Sequence, residues 1–139
     1  MTRPHRLLFT LTAAAIALSA ASVFYPVDWR GPAIEIGGVL FFGVALMVPF
    51  ILVWVFGRFL KTAAMIYALC ALNVLLMMLW CALFGATFFW NTKPDAQDGL
   101  IFVVAPLYGI VLAVGFGGLI FLGDIALRAS KQKQSPSES

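Results

Sequence analysis

Ionisable and catalytic side chains are scarce in this sequence. Among 139 residues there are 6 Asp and Glu, 9 Lys and Arg and 1 His, so charge is confined to 11% of the chain. The histidine, His5, stands in the N-terminal leader at the edge of an apolar run. One imidazole per chain excludes His-based triads, His metal clusters and bis-His haem ligation within one polypeptide. The 2 cysteines are Cys70 and Cys81, which start about 16 Å apart along a helix, too far to share a disulfide or a metal. Cys70, Asn73, Met77 and Cys81 fall on one side of a helix, where sulfur can pass a soft ion such as Cu(I); burial of Cys and Met as ordinary apolar residues is the simpler reading.

Water-soluble segments are equally short. Outside the apolar runs, the longest are residues 1–6, 26–33, 91–99 and 128–139, whereas independent soluble folding usually needs about 40 residues. None of them can house chemistry. Glycines 115, 117 and 118 loosely resemble a phosphate loop, but they lie in an apolar run and lack the following Lys and Ser or Thr. The chain is therefore expected to be non-enzymatic, with no cofactor and no metal.

Hydrophobicity is what the sequence has in excess. The apolar fraction is 63% and the mean hydropathy +1.01, far above the roughly half-apolar usage of soluble domains. The runs at 7–25, 33–56, 62–90 and 99–123 each match the length of about 20 residues that spans a hydrocarbon core of about 30 Å. The expected fold is all-α: four transmembrane helices in an up-down-up-down antiparallel bundle, with residues 1–127 as one domain. The basic polar tail, 128–139, has nothing to pack and is expected to be disordered. The first run also has signal-peptide features, with Arg3 and Arg6 ahead of it and Ser19, Ala20, Ala21 and Ser22 where cleavage would fall. Whether residues 1–21 are removed stays open.

Charge placement predicts orientation. With the N-terminus cytoplasmic, that side holds Arg3, Arg6, Arg58, Lys61, Arg128, Lys131 and Lys133, against Arg30 and Lys93 outside. For loops this short such a bias sets both termini inside, and the expected location is the bacterial inner membrane. It argues against the tiny four-span transporters that insert both ways. The net charge of +3 does not indicate a nucleic-acid partner, because the basic residues sit at segment ends rather than along one face.

Small residues supply the main packing signal. Ala105, Gly109, Ala113 and Gly117 recur every fourth residue in the fourth span, and Ala13, Ala17 and Ala21 do so in the first. Where lipid is as apolar as any partner helix, small side chains allow the close backbone approach that drives association. In an up-down-up-down bundle span one lies beside span four, which sets Ala17 near Ala113; otherwise the span-four stripe is free for another protein. The bilayer and either another membrane protein or a second copy are the expected partners.

Polar residues at depth are few. Asn73 lies near the middle of span three, where an unsatisfied amide is costly. It is expected to donate to the carbonyl of Ala45, which Pro49 leaves without its helical donor. Tyr108 is a second intramembrane polar group. Three acidic residues fall near helix ends: Glu35 complements the N-terminus of span two, Asp98 reads as an N-cap of span four, and Asp124 pairs with Arg128 at i,i+4. Asp95 and Asp98 alone offer too few ligands for Ca²⁺.

These features point to a small non-catalytic membrane protein that binds another membrane protein through its helices, as an accessory subunit or a toxin-immunity protein does. The alternative is a small transporter or channel with a path lined by Asn73, Tyr108 and Glu35; a lesion-forming, holin-like role is a third reading.

Overall fold

The computed structural model describes residues 2–24, 33–86 and 101–134. They form α1 (Arg3–Phe24), α2 (Ala33–Phe59), α3 (Ala63–Phe84) and α4 (Ile101–Gln134). Each contains a stretch with mean hydropathy between 2.1 and 2.7, long and apolar enough to cross a membrane. Even the shorter helices, α1 and α3 with 22 residues each, rise about 33 Å. Leu75, Met78, Val111, Leu119 and Leu122 are among many large apolar side chains on the outer surface. That exterior suits lipid rather than water, and the chain is a multi-pass membrane protein. Residues 25–32 and 87–100, Asp98 among them, and the side chain of Glu35 lie outside the described residues.

Helix α4 extends past the expected end of span four. The segment from Arg128, expected to be disordered, continues the helix as far as Gln134. Ala129, Lys131, Gln132 and Lys133 are good helix formers, no proline interrupts them before Pro136, and cations near a helix C-terminus oppose the negative end of its dipole.

The packing order also departs from the expected one. Helix α2 packs on α1 and α4, and α3 packs on the same two, so α1 and α4 stand at opposite corners rather than side by side. Leu8 fills the space above Gly57, while Val23 and Phe24 approach Gly43, which makes α1 and α2 antiparallel. Pro49 meets Gly109 and Phe56 meets Gly117, so α2 and α4 run in the same direction. Leu60, Lys61 and Thr62 join α2 to α3.

This arrangement brings the start of α1, the α2–α3 link and the far part of α4 to one end of the bundle. All seven basic residues of the predicted cytoplasmic set belong to that end or extend beyond it. Two apolar clusters fill the interior. One joins Leu8, Ala15, Phe50, Val53, Leu69, Leu76 and Ala113, and the other joins Val23, Leu46, Trp80, Phe84 and Ala105.

Candidate functional site

The small-residue stripe of α4 is buried along its whole length: Ala105, Gly109, Ala113 and Gly117 all face the interior. Its partner is α2. A Cβ built on Gly109 would stand 2.8 Å from Pro49 Cγ, and one on Gly117 2.8 Å from Phe56 Cδ2. Proline lacks an N–H and carries its ring close to the helix axis, a low ridge that only a residue without a side chain accommodates at this distance.

The first-span stripe does not meet it. Ala13, Ala17 and Ala21 are exposed on the outer face of α1, so the expected contact between Ala17 and Ala113 is absent. What α1 buries instead is Pro4, Leu8, Thr12, Ala15, Ser19 and Val23. Two of these are polar. Turning Thr12 and Ser19 inward removes hydroxyls from hydrocarbon, and methyl groups of alanine cost nothing where they face lipid.

Thr12 explains Asn73. The Asn73 side chain is fully buried, and its Nδ2 donates to Thr12 Oγ1 at 2.9 Å. The expected acceptor, the Ala45 carbonyl, is not its partner, because the amide N–H is taken by the Thr12 hydroxyl of α1, which packs against α3. Asn73 Oδ1 has no hydrogen-bond partner among the described residues. The Ser19 hydroxyl is satisfied within α1, donating to the Ala15 carbonyl at 2.9 Å. Thr12 was not singled out from the sequence and Ser19 was read only as part of a cleavage region, although their spacing of seven residues places them on one helix face.

Asp124 does more than pair with Arg128. Its carboxylate is fully buried and accepts from the backbone N–H of Thr62 at 3.0 Å and of Lys61 at 3.3 Å. Arg128 Nη2 donates to the same carboxylate and also to the Phe59 carbonyl at 3.3 Å. Asp124 and Arg128 thus staple the α2–α3 link to α4. The carboxylate satisfies amides at the start of α3, where helical N–H groups have no internal acceptor.

Tyr108 is 65% exposed. It borders a small cavity of about 30 Å³, with Pro49, Trp80 and Gly109 among its walls, and Asn73 does not line it. The structure therefore does not bring Asn73 and Tyr108 into one passage. Cys70 is buried and Cys81 exposed, and both are free thiols. Among the described residues no group of three or more His, Cys, Asp or Glu side chains gathers to hold a metal ion.

Two larger cavities lie along the seam between α1 and α2. One, about 260 Å³, is bordered by Phe9, Thr12, Ala13, Ile16, Ile51 and Trp54. The other, about 280 Å³, continues it toward the basic end between His5 and Arg58, and the two share Phe9 and Trp54.

The fold thus defines a four-helix, multi-pass membrane protein. Compared with known proteins, the chain matches no family model, no curated protein and no solved structure.

Proposed function

We propose that this chain is a non-catalytic protein of the bacterial inner membrane, with both termini cytoplasmic, that binds another membrane protein through its helices. An accessory subunit and a toxin-immunity protein are the two forms of that role. The observation carrying the proposal is the division of labour between the two small-residue stripes. The α4 stripe is consumed by α2 within the fold, whereas Ala13, Ala17 and Ala21 leave a smooth face of α1 open to the bilayer. An open face of this kind admits a partner helix at short distance, where packing drives association in lipid. The gathering of basic residues at one end supports the orientation.

Co-purification in mild detergent tests this reading. Ala17→Leu is expected to abolish recovery of the partner while leaving helical content and elution volume unchanged. Flux of ions or lipophilic cations in proteoliposomes separates the transporter alternative. Flux above the protein-free background that is lost in Asn73→Leu would replace the binding reading with transport.

A further inference from the structure

The two cavities between α1 and α2 form one amphiphilic groove. Its inner end is bordered by His5 and Arg58, and its outer part by Phe9, Ala13, Ile16 and Ile51. Trp54 lies at the junction of the two parts, and the Arg58 guanidinium carbon sits 5.1 Å from its ring centroid. Stacking on an aromatic face holds a guanidinium in place while leaving its edge N–H groups available. His5 Nδ1 lies 2.6 Å from Thr2 Oγ1, so the ring is tethered by that nitrogen and Nε2 is the one not so engaged.

No carboxylate among the described residues compensates this end of the groove. The single ion pair found among them is that of Arg128 with Asp124, and Asp124 is further occupied by two backbone amides. Arg3, Arg6 and Lys61 add positive charge around the same end. A positive mouth leading into a dry slot between transmembrane helices is complementary to one kind of molecule in a bilayer, an anionic lipid with its phosphate at the interface and its chain in the slot. Arginine suits the phosphate because its fork of donors matches two oxygens at once.

We propose that the α1–α2 groove binds a single anionic phospholipid. The phosphate rests on Arg58 and His5, and the first part of an acyl chain lies along Phe9, Ala13, Ile16 and Ile51. This goes beyond the partner-binding role and does not depend on it. Ala13 belongs both to the slot and to the small-residue face, so a lipid seated here adjoins Ala17 and Ala21 and the outer surface of α1 includes the lipid.

Native mass spectrometry of the full chain in mild detergent tests the site, titrated separately with phosphatidylglycerol, phosphatidylcholine and inorganic phosphate. One phosphatidylglycerol is expected to bind in preference to phosphatidylcholine, with no adduct from inorganic phosphate. Arg58→Gln should weaken that first binding at least about fivefold, the worth of one cation at the headgroup region. Ala13→Trp should weaken it by blocking the slot with Arg58 intact, and it serves as the decisive variant if Arg58→Gln does not fold. The pair Lys131→Gln and Lys133→Gln removes more charge from the same end of the bundle and should leave the first binding unchanged. Equal binding of the two lipids would overturn the proposal. So would an effect of the lysine pair matching that of Arg58→Gln, which would indicate a diffuse field, or adducts with inorganic phosphate alone, which would indicate a simple anion site.

Discussion

Gly109 of α4 faces the ring of Pro49 on α2, so closely that a Cβ on the glycine would lie 2.8 Å from the ring carbon Cγ. This contact joins the two features of the sequence that most disturb a membrane helix, a glycine and an internal proline, and makes each the reason for the other. Proline in α2 presents a ridge, and glycine in α4 presents the notch that receives it. Seven residues on in α2 and eight on in α4, Phe56 against Gly117 repeats the relationship with an aromatic ring.

Gly109→Leu is therefore expected to destabilise the monomer by about 1–3 kcal/mol through overpacking, or to prevent folding. Gly115→Leu and Gly118→Leu should be near neutral, because a Cβ at either position meets nothing within 4 Å. Denaturant unfolding in detergent, followed by circular dichroism, measures all three. Pro49→Ala combined with Gly109→Leu should recover part of the loss, with a coupling of about 0.5–3 kcal/mol.

A second expectation concerns the buried amide. Thr12→Val keeps the shape of the side chain but removes the acceptor of Asn73 Nδ2. It should cost about 0.6 to 2 kcal/mol, the usual range for a hydrogen bond between membrane helices. Asn73→Leu in the Thr12→Val background should cost less than Asn73→Leu alone. Additive losses in this cycle would mean that the two side chains are not coupled.

The staple at the basic end gives a third. Asp124→Ala leaves the Lys61 and Thr62 amides without their acceptor, at about 1–3 kcal/mol. Asp124→Asn retains one acceptor oxygen and should lose less. Hydrogen exchange at the Thr62 amide reads the change directly, and should accelerate in the alanine variant before global unfolding does.

Hydropathy made the spans legible because the bilayer imposes a length and forbids unpaired backbone groups, a requirement that leaves a long apolar run few alternatives to a helix. Helix ends were harder to read: the lysines and glutamine beyond Arg128 look like a solvated tail, yet they also favour helix, and α4 runs on through them to Gln134. The order of packing was not legible. Ala13, Ala17 and Ala21 repeat just as Ala105, Gly109, Ala113 and Gly117 do, and repetition alone does not say which stripe turns inward. A partial signal lay beside the alanines, in Thr12 and Ser19, whose hydroxyls turn inward, while those of Thr10 and Ser22 on the same helix are satisfied by carbonyls of their own helix and do not. Asn73 could be marked as needing a partner, but naming Thr12 required knowing that α1 packs against α3. For Asp124 the local pair with Arg128 hid the tertiary role, since the amides it accepts from lie more than sixty residues away in sequence.

The outward alanine face carries the central claim, and photocrosslinking in native membranes tests it most directly. A photoreactive residue is placed singly at Ala17, on the exposed face, and at Ala113, in the interior. The account predicts a discrete protein adduct from position 17, absent when Ala13 and Ala21 are both changed to Leu, and no intermolecular adduct from position 113. A discrete adduct from position 113 with none from position 17 would contradict it, because the α4 stripe would then be the intermolecular surface.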